Sequence, residues 1–145
     1  MLTLLRWMSR WPLWLLHAVG AALGWLSYFA SPTYRRRFDA NVAQAERLYD
    51  LVSAHSEFMP AVQPRMSAMC LRYAPKGLEE PQSAKLHATV ARQVEESGRF
   101  WISTTVLKGR TWFRVNPVNI RTRLEHMDEL FDFLVELCAK ERANA

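Results

Sequence analysis

The stretch from Phe100 to Thr122, FWISTTVLKGRTWFRVNPVNIRT, constrains the fold more than any other part of the chain. Two runs rich in β-branched and aromatic residues flank Lys108-Gly109, a pair that suits a tight two-residue turn. The pattern predicts a β-hairpin. Phe100, Ile102, Thr104 and Val106 fall on one face of its first strand. On the second strand Phe113 and Val115 face opposite to Trp112 and Arg114. The loop after it leads into a last helix with the stripe Met127, Leu130, Phe131, Leu134 and Cys138. Thr122 and Glu125 have the spacing of a capping box at its start.

A hairpin needs further partners to bury its apolar face. The periodicity supplies them. Phe38 to His55 carries Val42, Ala45, Leu48, Tyr49 and Val52 at helical spacing. Met66 to Tyr73 alternates, with Met69, Leu71 and Tyr73 on one side, and predicts a strand. Gln82 to Ser97 predicts a helix with the stripe Leu86, Val90 and Val94, ended by Gly98. The connections at Pro60–Pro64 and Pro75–Pro81 read as loops. The expected architecture is α+β: a three- or four-stranded antiparallel sheet covered on one face by helices, spanning 38–145.

Residues 1–37 differ in kind. From Trp11 to Tyr34 about 24 residues pass without a charged side chain, roughly 36 Å as a helix against a ~30 Å hydrocarbon core. Trp7, Trp11 and Trp14 at one end, and Trp25, Tyr28 and Tyr34 at the other, suit the two interfacial belts. Gly20 and Gly24 have the spacing that lets two such helices approach closely. A spanning helix, a helix lying in the interface and a buried core helix all fit this composition. A cleaved signal peptide does not, because no small-x-small site follows the apolar run.

Charge follows the same division. Arg6, Arg10, Arg35, Arg36 and Arg37 are the only charged residues in 1–37 and account for the whole net charge of +5. The remainder balances fourteen basic against fourteen acidic residues. The folded part thus shows no basic excess of the kind nucleic-acid binding uses. The five arginines instead flank a membrane segment, where anionic lipid is the expected partner. Cys70 and Cys138 have neither metal-ligand nor redox spacing and read as reduced thiols. His87 and His126 read as exposed polar residues on helices, and no catalytic or metal-ligating set emerges.

Two resemblances add to this reading. Leu15-Leu-His-Ala-Val-Gly, Gly24-Trp-Leu-Ser-Tyr, Ser31-Pro-Thr-Tyr-Arg-Arg-Arg and Asn41 resemble the N-terminal membrane anchor of lipid A biosynthesis (lauroyl/myristoyl) acyltransferases. That family's catalytic His is followed five positions on by an Asp. None of His17, His55, His87 or His126 has one. The resemblance implies an anchor in a bacterial inner membrane, with the following domain in the cytoplasm, and no acyl transfer.

The second covers about 41–145. Ala45-Glu-Arg-Leu-Tyr, Met66-Ser-Ala-Met-Cys-Leu-Arg-Tyr, Glu96-Ser-Gly-Arg-Phe-Trp-Ile-Ser and Trp112-Phe-Arg-Val-Asn-Pro-Val-Asn resemble the C-terminal small domain of group II pyridoxal-phosphate-dependent amino-acid decarboxylases. The two resemblances meet between 38 and 47. In the second family a large domain carries the cofactor on a lysine that directly follows a histidine. Lys76, Lys85, Lys108 and Lys140 follow Pro, Ala, Leu and Ala instead. The resemblance therefore implies pyridoxal phosphate for the family but none bound by this chain alone. It places one role here: Arg114, at the end of Trp112-Phe-Arg, would pair with a substrate carboxylate, with Asn119 at the family's following Asn. The expected partners are a decarboxylase large domain or a second copy of the chain. An anchored interaction module using Trp101, Trp112 and Arg114 is the alternative.

Overall fold

A computed structural model describes residues 11–144 and divides the chain into two units, residues 1–38 and 39–145. In the first, helix α1 (Leu13–Ala30) follows Pro12, whose extended backbone ends the preceding chain. No residue of α1 is buried, and Leu13, Trp14, Leu23, Trp25, Leu26 and Phe29 are all exposed. Its mean hydropathy is 1.4 over 18 residues, enough in length and composition to cross a membrane. Nothing lies within van der Waals reach of a Cβ placed at Gly20 or Gly24.

Ser31 and Pro32 end α1 but at once begin the next helix, α2 (Pro32–Ala54). The Ser31 hydroxyl accepts the Tyr34 N–H at 3.3 Å, and proline stands at the first helical position, where its missing N–H costs nothing. The helix thus starts six residues before the expected Phe38. The polar turn Tyr34–Arg37 carries no apolar stripe, so periodicity does not reveal it.

In the second unit the sheet has four antiparallel strands in the order β1-β2-β4-β3: β1 (Phe58–Pro60), β2 (Met69–Tyr73), β3 (Ser103–Leu107) and β4 (Arg110–Val115). Helix α3 (Glu80–Glu96) carries the chain from β2 to the far edge, so that β4 returns between them, and α4 (Leu124–Ala143) closes the domain. Strand β1 occupies part of the stretch expected to be a loop. It is three residues long and ends in proline, which only an edge strand tolerates. Phe58 holds it: its ring centroid lies 5.1 Å from Tyr73 and 5.2 Å from Phe131.

Leu48 and Val52 of α2, Leu86, Val90 and Val94 of α3, and Leu130, Leu134 and Cys138 of α4 bury against Leu71, Phe113 and Val115 of the sheet. The hairpin turn is as expected. Lys108 (φ 50°) and Gly109 (φ 72°) both take left-handed backbone, the geometry that matches the twist of two directly paired strands. Thr104 and Val106 nevertheless stay exposed although their parity matches Ile102, because β3 is the sheet edge.

The start of α4 also differs from expectation. Thr122 is tied into the preceding turn: its N–H donates to the Asn119 carbonyl at 3.0 Å, and its own carbonyl accepts Gln44 Nε2 at 2.7 Å. The cap shifts one residue on, where the Arg123 N–H donates to His126 Nδ1 at 3.0 Å.

Candidate functional site

Where the β2–β4 ladder ends, side chains take over its hydrogen bonds. The last pair of that ladder is Leu71 with Phe113. Beyond it, the Thr111 N–H donates to Glu80 Oε1 at 2.8 Å and the Thr111 carbonyl accepts Arg72 Nη1 at 2.9 Å. Arg72 Nη2 reaches Glu80 Oε2 at 2.6 Å, closing the set. On the other strand the Tyr73 N–H donates to His87 Nε2 at 3.2 Å. His87 Nδ1 lies 2.7 Å from the Ser83 carbonyl, which makes it the protonated nitrogen of a neutral ring. A buried backbone group needs a partner, and Arg72, Glu80 and His87 supply those that the diverging strands do not.

His87 is therefore not the exposed residue expected from the sequence. It is fully buried and stacks on Phe113 with centroids 4.3 Å apart. Burial lowers its pKa to about 4, with Arg72 adding to the effect and the Ser83 carbonyl opposing it. Its position was legible as Ser83, His87, Val90 and Val94, one helical stripe that Leu86 alone does not reveal. Glu80 is held below the usual carboxylate range chiefly by its hydrogen bond from Arg72, against a smaller opposing effect of burial. This network holds the ends of β2 and β4 in place.

Arg114 lies on the sheet face away from the helices, exposed, beside Cys70 in the register. No carboxylate pairs with it among the described residues. Burial raises the Cys70 pKa and the Arg114 charge partly offsets this. Trp112 shares that face but is only 7% exposed, and its buried indole N–H meets no acceptor among the described residues. The expected free surface of Trp101, Trp112 and Arg114 is thus reduced to Trp101 and Arg114.

A cleft of about 550 Å³ opens at the end of β4 beside the first turn of α4. Arg99, Trp101, Asn116, Asn119, Arg121 and His126 line it over an apolar floor that includes Val115 and Leu130. Asn119 lines this cleft and Arg114 does not.

The described residues do not fit pyridoxal phosphate as a resident group. No lysine lines the cleft. Lys76, Lys85, Lys108 and Lys140 are exposed on four different parts of the fold. No three His, Cys, Asp or Glu side chains converge as a metal site among the described residues either. Of the anchor-flanking arginines, Arg35, Arg36 and Arg37 are exposed on the first turns of α2, while Arg6 and Arg10 lie outside the described residues, as does Trp7.

No protein-family model matches the chain. In fold it is similar to Oryza sativa TDC, solved with PLP, at a TM-score of 0.69 and 15% identity, covering 81% of this chain and 26% of that one. Catharanthus roseus tryptophan decarboxylase, solved in complex with L-tryptophan, gives a TM-score of 0.65 and 19% identity over 72% of this chain and 22% of that one. The glutamate decarboxylase domain of a Vibrio parahaemolyticus diaminobutyrate-pyruvate transaminase and L-2,4-diaminobutyrate decarboxylase gives 0.63 and 15%, again over 72% and 22%. At these identities the likeness is one of fold. The chain spans about a quarter of the length of these proteins.

Proposed function

We propose that residues 39–145 act as the small domain of a pyridoxal-phosphate-dependent amino-acid decarboxylase and that residues 11–37 hold this domain at a membrane. The observation that carries the first part is the asymmetry of the fold likeness: 72–81% of this chain against 22–26% of each decarboxylase. In this reading the chemistry of the cofactor belongs to a partner large domain, and the chain by itself neither holds the cofactor nor decarboxylates. Its own contribution is Arg114. A guanidinium with no internal carboxylate presents a planar fork of donors suited to a substrate carboxylate.

The membrane part rests on α1, none of whose residues is buried, and on Arg35, Arg36 and Arg37 just beyond it. Each such arginine near an anionic bilayer contributes about 1 kcal/mol. In this reading the domain lies on the cytoplasmic side, the arrangement that the acyltransferase-like anchor implies.

Two measurements test the proposal. The full chain is expected to stay in the membrane pellet after a carbonate wash. It is also expected to develop no visible cofactor band with added pyridoxal phosphate and to gain decarboxylase activity only with a separately expressed decarboxylase large domain. Formation of a lysine-bound cofactor by the chain alone, or failure to form any complex with a large domain, would refute the small-domain reading. In the second case the exposed Trp101, at 70% accessibility, favours an anchored interaction module instead.

A further inference from the structure

The cleft beside α4 is lined with polar side chains whose acceptor atoms each take a hydrogen bond from within the protein, while their donors have no partner among the described residues. Asn116 Oδ1 accepts the Ser67 hydroxyl at 2.9 Å, which leaves its amide NH₂. Asn119 Oδ1 accepts the Arg121 backbone N–H at 3.0 Å, with the same result. His126 Nδ1 accepts the Arg123 N–H at 3.0 Å, so the remaining ring nitrogen, Nε2, carries the ring hydrogen.

Two guanidinium groups complete the set. Arg99 lies over Phe133 at 4.7 Å and over Phe100 at 5.6 Å, contacts that orient the group without consuming its N–H donors. Neither Arg99 nor Arg121 has a carboxylate partner among the described residues. Against five donor side chains the lining holds one acid, Glu129. The volume of about 550 Å³ lies in the range of small-molecule sites. Phe100, Trp101 and Val118 add an apolar wall.

We infer that this cleft binds a phosphate monoester that carries an apolar group. A phosphate monoester offers three charged acceptor oxygens, one more than a carboxylate, and so suits a donor set of this size better. The apolar part of the ligand packs on Trp101, which is 70% exposed. The inference does not depend on the decarboxylase reading, because Arg114 lies outside the cleft.

The test uses the full chain in neutral phosphatidylcholine nanodiscs, titrated calorimetrically with phenyl phosphate and with inorganic phosphate. Saturable one-to-one binding of phenyl phosphate is expected, with inorganic phosphate about tenfold weaker for want of the aromatic contact. R99Q/R121Q is expected to lose about 100-fold in affinity, from two charge-assisted contacts, while R114Q binds like wild type. Unfolding of the double variant is checked by its urea midpoint. Should it not fold, R121Q alone decides, since the Arg121 side chain makes no hydrogen bond or ion pair among the described residues.

Repeating the titration in nanodiscs containing phosphatidic acid distinguishes the two sources of the phosphate. Competition assigns the site to a lipid headgroup, and unchanged affinity assigns it to a soluble ester. Absence of saturable phenyl phosphate binding overturns the inference. So does an arginine variant, double or single, that folds and binds as wild type does.

Discussion

His87 provides the sharpest test of how this domain is held together. The ring is fully buried, accepts the Tyr73 N–H and stands neutral with its pKa lowered to about 4 from 6.5. In the unfolded chain the same imidazole takes up a proton below about pH 6.5. Between those two values the unfolded state binds more protons than the folded one, so stability rises with pH in that window. Its contribution is fully present above the unfolded pKa and is lost as pH falls toward the folded one. At about 1.36 kcal/mol for each tenfold change in proton affinity, the total is about 3 kcal/mol, of which about 2 kcal/mol falls between about pH 6.5 and pH 5. The lower part of the window overlaps the titration of carboxylates, so the upper part isolates His87.

The assay is urea unfolding of the full chain in neutral nanodiscs, followed by the fluorescence of the tryptophans, among which Trp112 is buried. His87→Gln keeps an acceptor for the Tyr73 N–H but cannot titrate. Its overall stability is expected to fall by about 1–3 kcal/mol from imperfect packing and hydrogen bonding. Its pH dependence in the upper window is expected to flatten. If H87Q retains the wild-type slope there, the buried neutral imidazole is not the origin of the acid sensitivity and the argument fails.

Glu80→Ala removes the partner of a guanidinium that is only 6% exposed as well as the acceptor for the Thr111 N–H, and is expected to cost about 2–4 kcal/mol in urea unfolding. Because the Glu80 pKa is lowered, that contribution is present above the ordinary carboxylate range and lost as pH falls through the depressed value. Gly109→Val places a β-branched residue at φ 72° and should destabilise by about 1–2 kcal/mol, whereas Lys108→Asn, at φ 50°, should be neutral or stabilising in the same assay. Burial raises the pKa of both thiols, and Cys138 is fully buried while Cys70 is half-buried. A maleimide is therefore expected to modify Cys70 slowly in the native chain and Cys138 only in urea, as read by mass spectrometry.

Local chemistry determined much of this protein. Lys108-Gly109 between two β-rich runs specifies a hairpin because only a left-handed pair joins directly paired strands without splaying them. The stripes of the three domain helices specify which faces are buried, since side chains three and four apart share a helix face. A charge-free run beside arginines specifies an apolar helix with a basic end. Each of these follows from neighbours within a few turns of the same chain.

Tertiary structure decided what depends on partners distant in sequence. Phe58 makes β1 a strand only because Tyr73 and Phe131 receive it. The burial of His87 depends on β2 diverging from β4 and leaving the Tyr73 N–H without a strand partner, a fact of sheet geometry that composition does not carry. The same holds for Arg72 and Glu80, which read as ordinary charges until Thr111 is placed between them. Arg114 and Asn119, five residues apart, end on different surfaces because the chain turns after Val115, leaving the first on the open sheet face and the second in the cleft. Periodicity reports which face of an element is turned inward. It does not report which elements meet, and the polar contacts of this domain arise where they do.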